Sequence, residues 1–235
     1  MEAIILAGGK GTRLSPLTDN LPKPLVKIID KPVIELIISK LRTMGIIDIR
    51  ITVSHMWEKI VSALGDGRDV GVNITYHVEE VPLGTAGGVK NASKDIEGDF
   101  LVVSGDAFFD LDLENAVRYH RETSSLLTLI AKSVDDPTGL GVLETDDEGV
   151  IKSFVEKPTE KTGRSLINTG IYVVSKPVMN LVPDGAYDFG RDLIPRLTGI
   201  CRAYVSRGYW SDIGTLESYY YANYLAAKKR RAVRG

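Results

Sequence analysis

A glycine-rich loop near the N-terminus combines close backbone approach with positive charge. It begins at the end of the apolar run 3–7 and consists of Leu6, Ala7, Gly8, Gly9, Lys10, Gly11, Thr12 and Arg13. Glycines let a backbone come close to a ligand, and successive amide groups in such a loop form a nest for an anion. Lys23 follows, with a proline on each side that restricts its backbone. These residues together indicate a polyphosphate site, although a glycine-rich turn after a first strand is often purely structural.

Two other phosphate-binding motifs share features with this loop, and the sequence fits both poorly. A dinucleotide-binding fingerprint would need a third glycine where Leu14 stands. The GxxxxGK[ST] pattern of a P-loop occurs nowhere in the sequence. A dinucleotide-dependent enzyme is therefore a disfavoured alternative.

Two aspartates far apart in the sequence have the surroundings of a metal site. Asp106 ends the buried run FLVVSGD, and Asp212 lies in the turn-rich stretch YWSDIGT. Ligands of parallel sheets bind beyond the carboxyl ends of the strands, and Mg²⁺ prefers carboxylates together with phosphate oxygens and water. The pair predicts a Mg²⁺ site, whereas either aspartate alone is equally well explained as a helix cap or an Asx-turn.

The order of the elements that must position these residues predicts the fold class. Buried runs alternate with amphipathic segments through the first 120 or so residues, which favours a parallel sheet with helices on both faces. The predicted strands are 3–7, 48–53, 73–78, 100–104, 126–132, 141–144, 150–156 and 166–174. The predicted helices open at Pro32 and then cover 58–64, 85–93, 188–198 and 216–229. We therefore predict one α/β domain over residues 1–235, with a mixed, mostly parallel sheet and an antiparallel elaboration in the C-terminal half.

Composition excludes several other classes of protein. The chain of 235 residues is 43% hydrophobic and 26% charged, with a net charge of −2. These values exclude a disordered or collagen-like chain, and they provide no field that favours nucleic acid or a membrane as partner. The lone Cys201 excludes an intramolecular disulfide. The apolar N-terminus is too short for a signal peptide, and no run reaches the roughly 18–20 apolar residues of a membrane span, so we expect a cytoplasmic protein.

Seven motifs together resemble those of the sugar-1-phosphate nucleotidyltransferases, the NDP-sugar pyrophosphorylases. They occur in the family's order and cover nearly the whole chain: LAGGKGTRLSPLT (6–18), PKP (22–24), PLGTAGG (82–88), SGD (104–106), EKP (156–158), NTGIY (168–172) and WSDIGT (210–215). The resemblance implies a Rossmann-like fold, with nucleotide bound by residues 1 to about 120 and sugar phosphate by the remainder. It also implies a reaction of a nucleoside triphosphate with a sugar-1-phosphate, assisted by Mg²⁺, that yields an NDP-sugar and pyrophosphate.

The resemblance assigns roles to individual residues. Those expected at the reacting phosphates are Arg13, Lys23, Asp106, Lys157 and Asp212, with Asp106 and Asp212 on the metal. Those expected to bind nucleotide are Leu6, Ala7, Gly8, Gly9, Gly11, Thr12, Arg13, Lys23, Glu80, Pro82, Gly84, Thr85 and Asp106. Those expected to bind sugar phosphate are Gly141, Glu156, Lys157, Asn168, Thr169 and Gly170. A phosphate oxygen is already anionic near neutral pH, so catalysis would need positioning and electrostatics without a protein nucleophile.

The identity of the base is indicated by Glu79 and Glu80, which precede PLGTAGG where uridylyl- and thymidylyltransferases usually carry Gln. A carboxylate suits the adjacent N1–H and N2–H₂ donors of guanine, whereas uracil and thymine offer one donor flanked by acceptors. We therefore predict GTP, with Glu80 or, less favoured, Glu79 as the base contact, unless both are merely solvated. This segment also resembles mannose-1-phosphate guanylyltransferases.

The sequence leaves several alternative functions open. They are a uridylyl- or thymidylyltransferase acting on glucose-1-phosphate, a heptose-1-phosphate guanylyltransferase, and a non-catalytic regulatory relative that binds nucleotide sugars. Tyr219, Tyr220, Tyr221 and Tyr224 cannot all face one side of the last helix, which is compatible with a homo-oligomer.

Overall fold

The structure is a computed structural model that describes residues 1–158 and 163–232. Its strands are Ala3–Ala7 (β1), Lys27–Ile28 (β2), Lys31–Pro32 (β3), Asp48–Val53 (β4), Asn73–Val78 (β5), Asp99–Ser104 (β6), Ala107–Phe109 (β7), Leu127–Val134 (β8), Val142–Thr145 (β9), Ile151–Val155 (β10), Ser165–Ser175 (β11), Arg202–Val205 (β12) and Trp210–Asp212 (β13). Its α-helices are Val33–Thr43 (α1), Trp57–Leu64 (α2), Gly84–Ala92 (α3), Leu113–Glu122 (α4), Ile194–Arg196 (α5) and Leu216–Ala232 (α6).

The central sheet has a parallel half and an antiparallel half. Strands β6, β1, β4 and β5 lie side by side and run parallel, with Ile5 opposite both Ile51 and Val103. Strand β11 joins β6 in the antiparallel sense and also pairs with β8 and β9. Strand β10 adds to β9 in the antiparallel sense, and β12 adds to β8 as a parallel neighbour within this half. The predicted mixed α/β sheet with an antiparallel C-terminal elaboration is confirmed.

The apolar run of β1 is continuous because both faces of the sheet are covered. Successive side chains of a strand point to opposite faces. Ile5 therefore packs with Ile37 of α1 in one core layer, and Ile4 packs with Val89 of α3 in the other. All four of these side chains are buried. The carboxyl end of β1 is consequently fixed between two core layers, and the glycine-rich loop starts from that fixed point.

Helix α4 and the region 188–198 differ from the sequence prediction. No helix is predicted at 113–122, although Leu113, Ala116, Val117 and His120 follow helical spacing and are buried. In place of one helix over 188–198 there is a π-helical turn at Phe189–Leu193 followed by the short α5. Pro195 lies within this region and has no backbone N–H to donate, which explains why a regular helix does not continue.

The remaining predicted elements are present with small shifts at their ends. Helix α1 starts at Val33, with Pro32 as the residue before it. The turn between β9 and β10 closes with Gly149 N–H donating to Asp146 O at 3.0 Å, and Gly149 has a φ of 78°. Among residues 1–158 and 163–232, no helix is long and apolar enough to cross a bilayer.

Candidate active site

A short two-stranded ribbon brings Asp106 and Asp212 together. Strands β7 and β13 are antiparallel, and Ala107 lies opposite Asp212. Ile213 N–H donates to Asp106 O at 3.1 Å, which closes the ribbon at the carboxyl end of β6. Two residues that are 106 positions apart in the sequence therefore lie at one edge of the sheet, as expected from their sequence surroundings.

Asp106 forms a partly buried ion pair with Lys23. Lys23 Nζ lies 2.5 Å from Asp106 Oδ2, and Ser104 Oγ donates to Asp106 Oδ1 at 2.6 Å. Burial opposes ionisation of Asp106, but the charge and hydrogen bond of Lys23 outweigh it and hold the pKa of Asp106 below its usual value. Asp106 is therefore a carboxylate throughout the neutral range.

Asp212 has the opposite electrostatic environment. Burial raises its pKa, and the nearby negative charge of Asp106 raises it further, against the opposing charges of Lys23 and Arg13. A Cβ on Gly214 would lie 2.7 Å from Asp212 Oδ2 and 3.3 Å from Arg13 Nη2, so this glycine makes room for both groups. The four predicted charged residues Arg13, Lys23, Asp106 and Asp212 thus form one cluster.

The two carboxylates fit a Mg²⁺ ion. Burial and the negative charge of Asp106 both raise the pKa of Asp212, and a cation between the two carboxylates would relieve their repulsion. Within the described ranges, no group of three or more His, Cys, Asp or Glu side chains is arranged to hold a metal. An ion at this place would therefore take its other ligands from phosphate oxygens and water, which is the mode that Mg²⁺ prefers.

The glycine-rich loop packs directly on Lys23. Gly11 has a φ of 66°, and a Cβ there would lie 2.9 Å from Lys23 Cβ. Thr18 Oγ1 donates to Gly11 O at 2.8 Å and holds the loop from the other side. Only glycine combines this backbone conformation with this close approach, so the loop and the lysine are positioned together.

A cavity of about 330 Å³ extends from this cluster along the strand ends. Its lining residues are Leu6, Ala7, Gly8, Gly9, Lys23, Pro24, Thr52, Ser54, Glu79, Pro82, Gly84, Thr85, Ser104, Asp106 and Asp188. Gly11, Thr12 and Arg13 lie outside the lining. Sequence reasoning missed Thr52 and Ser54, although they stand at the carboxyl end of β4, where the rule that identified Asp106 also applies. It also missed Asp188, which it treated as the start of a helix.

Glu79 is the glutamate that lines the cavity, and Glu80 is exposed outside it. The preference for Glu80 over Glu79 in the sequence is therefore not matched by their positions. Leu83 N–H donates to Glu79 Oε2 at 3.0 Å, and a Cβ on Gly88 would lie 2.4 Å from Oε1. Burial raises the pKa of Glu79, and the Leu83 hydrogen bond opposes this in part. The cavity lining thus includes a positioned glutamate just after β5, whereas Asp106 follows β6 on the other side of β1 and β4.

A second group of predicted residues surrounds Glu156. A Cβ on Gly141 would lie 2.9 Å from Glu156 Oε2, and one on Gly190 would lie 2.4 Å from it. Lys157 Nζ lies 3.6 Å from Glu156 Oε1, and the Lys157 side chain is 64% exposed. Lys157 also has a φ of 49°, which is rare for a residue with a side chain and directs it away from the regular strand. Glu156 therefore lies between two glycines, and the exposed side chain of Lys157 lies beside it.

An irregularity in β11 positions Asn168, Thr169 and Gly170. Gly170 N–H donates to Asn168 Oδ1 at 3.0 Å, and Asn168 Nδ2 donates to Tyr172 Oη at 2.8 Å. Thr169 is buried, and its hydroxyl donates to Ile130 O at 2.6 Å. Its side chain is therefore part of the support, in contrast to the ligand contact expected from the sequence.

A parallel sheet that gathers a glycine-rich loop, two cations and two carboxylates at its strand ends has the features of a nucleotide-binding α/β protein. The comparisons with known proteins agree with this class. The chain belongs to the nucleotidyl transferase family, whose model matches residues 2–229.

Three similar proteins show which kinds of nucleotidyl transferase this chain resembles. The UTP–glucose-1-phosphate uridylyltransferase of Synechocystis sp. is 40% identical, over 94% of this chain and 62% of that protein. The mannose-1-phosphate guanylyltransferase of Mycobacterium tuberculosis is 35% identical, over 93% of this chain and 62% of that protein. The crystal structure of HddC from Yersinia pseudotuberculosis complexed with GMP-PN has a TM-score of 0.83 at 34% identity, over 94% of this chain and 97% of that chain. The chain thus spans less than two thirds of the length of the two curated relatives.

Proposed function

We propose that this chain is a sugar-1-phosphate guanylyltransferase that converts GTP and mannose-1-phosphate to GDP-mannose and pyrophosphate. The observation that carries the reaction class is the cluster of Arg13, Lys23, Asp106 and Asp212, of which Lys23 and Asp106 line the cavity. Two cations beside two carboxylates suit a polyphosphate that must be held and whose charge changes during reaction. Membership of the nucleotidyl transferase family supports the same class.

The reaction forms one phosphorus–oxygen bond and breaks another. An oxygen of the sugar phosphate attacks the α-phosphorus of GTP, and the bond from the α-phosphorus to the pyrophosphate oxygen breaks in line with it. Lys23 and Arg13 would stabilise the charge that develops on the departing pyrophosphate. Lys157 would hold the sugar phosphate, and Glu156 and Asn168 would accept and donate hydrogen bonds to sugar hydroxyls. The residues contribute orientation and electrostatic stabilisation.

Asp106 and Asp212 are the residues that would hold a Mg²⁺ ion. The ion would supply charge neutralisation between the triphosphate and the sugar phosphate. The ionised state of Asp106, maintained by Lys23, keeps a ligand ready at neutral pH. Such an ion would favour the ionised form of Asp212, whose pKa is raised by burial and by the neighbouring carboxylate.

Guanine as the base is supported by the position of Glu79. Glu79 lines the cavity just after β5, and Asp106 lines it just after β6 on the other side of β1 and β4, so a base would lie near Glu79 if the triphosphate contacts Lys23 and Asp106. Adjacent N1–H and N2–H₂ donors of guanine match a carboxylate, whereas the acceptors of uracil and thymine would be repelled by it. The base contact that we propose is therefore Glu79, with Glu80 too exposed to serve.

The second candidate is a uridylyltransferase or thymidylyltransferase acting on glucose-1-phosphate. The name of the Synechocystis relative favours it, since that protein has the higher identity of the two curated relatives. A heptose-1-phosphate guanylyltransferase would share the base but differ in the sugar. A non-catalytic relative is disfavoured because Arg13, Lys23, Asp106, Lys157 and Asp212 are all present.

The test is pyrophosphate release with Mg²⁺ across a grid of nucleoside triphosphates and sugar-1-phosphates. We expect turnover in the GTP column with its highest rate on mannose-1-phosphate, and loss of turnover in Asp106→Ala. Turnover with UTP or dTTP and glucose-1-phosphate would replace the proposal by the second candidate. A folded protein that binds nucleotide but releases no pyrophosphate in any combination would contradict the proposed enzymatic activity.

A further inference from the structure

Residues 185–190, here called the bridging segment, lie between the cavity and Glu156. The segment is hydrogen-bonded to the start of α3 by its backbone. Tyr187 N–H donates to Leu83 O at 2.8 Å, and Tyr187 O accepts from Ala86 N–H at 2.8 Å and from Gly87 N–H at 3.0 Å. The first turn of α3 therefore depends on a segment about 100 residues further along the chain.

Asp188 and Thr85 reinforce this junction with their side chains. Asp188 Oδ1 accepts from Thr85 N–H at 3.0 Å and from Thr85 Oγ1 at 3.1 Å. In return, Phe189 N–H donates to Thr85 Oγ1 at 2.9 Å. The other carboxylate oxygen of Asp188 lies 2.8 Å from Arg191 Nη2. Because Asp188 and Thr85 both line the cavity, this junction is part of the wall that a nucleotide would contact.

The same segment continues into the sugar-phosphate side. The Phe189 ring stacks on Tyr172 with centroids 4.5 Å apart, and Tyr172 Oη accepts from Asn168 Nδ2 at 2.8 Å. Gly190 leaves no room for a Cβ beside Glu156, since one would lie 2.4 Å from Oε2. An unbroken series of contacts thus runs from Thr85 through Asp188 to Glu156 and Asn168.

The geometry points to Asp188 as a positioning residue that couples nucleotide binding to sugar-phosphate binding, with Thr85 as its partner. The inference rests on the proposed function, because it needs both ligands. Both ligands would contact the same hydrogen-bonded segment, so the position that the first ligand selects for it is the position that the second ligand meets, and the second binds more tightly. By thermodynamic linkage, the sugar phosphate must then increase the affinity for the nucleotide by the same factor.

The coupling is measured as a ratio of two affinities. Calorimetry gives the affinity of the best sugar-1-phosphate from the turnover grid, first alone and then with a saturating GTP analogue whose bridge between the α- and β-phosphorus cannot be cleaved. For the wild type we expect at least about fivefold tighter binding with the analogue present. Thr85→Val keeps the side-chain shape without the hydroxyl, and Asp188→Ala removes both acceptor oxygens. Both should bring the ratio close to one, whereas Thr85→Ser should retain it.

Asp184→Asn is the matched control on the same loop. Its side chain is 99% exposed and pairs with Lys90, away from the cavity. The control should keep the wild-type ratio, and thermal melting of each variant separates a change in coupling from a loss of folding. A wild-type ratio preserved in both Thr85→Val and Asp188→Ala would overturn the coupling and leave the proposed function standing, as would a wild-type ratio of one. A wild-type protein that binds neither ligand would overturn both.

Discussion

Glu79 and Glu80 are neighbours in the sequence with opposite surroundings. Glu79 lines the cavity, and its pKa is raised by burial. Glu80 is exposed, and it lies outside the cavity. The pair therefore offers an internal comparison, because the same substitution can be made at a site that is proposed to read the base and at one that is not.

Glu79→Gln should weaken the preference for GTP. The substitution replaces an acceptor by an amide donor, which opposes the N1–H and N2–H₂ donors of guanine and suits the acceptors of uracil. The ratio of kcat/KM for GTP to that for UTP should fall at least about tenfold, which corresponds to about 1.4 kcal/mol. Glu80→Gln should leave the ratio within about twofold. Equal effects of the two substitutions would remove Glu79 from base recognition.

For individual residues, the sequence predicts poorly where a side chain lies once the chain has left the end of a strand. Both glutamates follow β5 directly, and the choice between them depends on how the chain leaves Val78 and returns to Leu83. Thr169 shows the same limit, because the irregular pairing of β11 directs its hydroxyl to Ile130 O. Charged residues are less sensitive to this limit, and Arg13, Lys23, Asp106 and Asp212 are gathered as expected.

At the scale of elements, α3 begins in an unusual way. No side chain of the residue before the helix caps it. Its first N–H groups are instead satisfied by Tyr187 O and Asp188 Oδ1 from the bridging segment. Gly84 allows this approach, since it has a φ of 70° and a Cβ there would lie 2.7 Å from Tyr187 O. The start of α3 is therefore a tertiary feature, built from two distant parts of the chain.

Gly84→Ala should damage both stability and nucleotide binding. Gly98→Ala is its matched control, because Gly98 has a φ of 75° but nothing within 4 Å of a Cβ. The control should cost only the backbone strain of roughly 1–2 kcal/mol. Gly84→Ala adds the clash with Tyr187 O, so its loss in urea denaturation should be larger and the KM for nucleotide should rise several-fold. Equal losses, with KM unchanged in both, would show that the junction is not needed.

Apart from α4, the elements with an apolar pattern of their own are predictable from the sequence, whereas short elements that depend on partners are not. Strands β4 and β5 have the predicted bounds, because runs such as DIRITV contain the β-branched apolar residues of a covered strand. The ribbon of β7 and β13 has three residues in each strand and no pattern of its own. Its pairing becomes visible only when both segments are placed, which is why Asp106 and Asp212 could be paired only by their chemistry.

At the scale of the whole molecule, His120 joins the two halves of the chain in the interior. It lies on α4, and its ring nitrogens contact Thr128 Oγ1 of β8 at 2.9 Å and Ser175 Oγ of β11 at 3.0 Å. Asp99 Oδ1 lies 3.7 Å from Nε2. Burial lowers the pKa of His120 more than Asp99 raises it, with Arg121 acting in the same direction as burial. The folded protein thus holds a neutral imidazole at a junction of three elements.

Folding stability should therefore decrease as the pH falls below about 6.5, the ordinary histidine value. The folded-state pKa of His120 is lowered, so the unfolded chain takes up a proton first, and stability that is fully present above pH 6.5 is lost as the pH falls toward the folded-state pKa. Burial also lowers the pKa of His77, which adds to the loss in the same direction. Each histidine contributes a slope of at most about 1.4 kcal/mol per pH unit.

Urea denaturation between pH 5 and 8 measures this slope. His120→Gln keeps hydrogen-bonding capacity without a titrating group, so the loss of stability on acidification should be shallower than in the wild type. His55→Gln is the control, because His55 is exposed, and it should reproduce the wild-type slope. The depressed pKa of Asp106 acts at lower pH, since that carboxylate stays ionised throughout this window. A His120→Gln slope equal to that of the wild type would mean that the junction between the two halves does not sense pH.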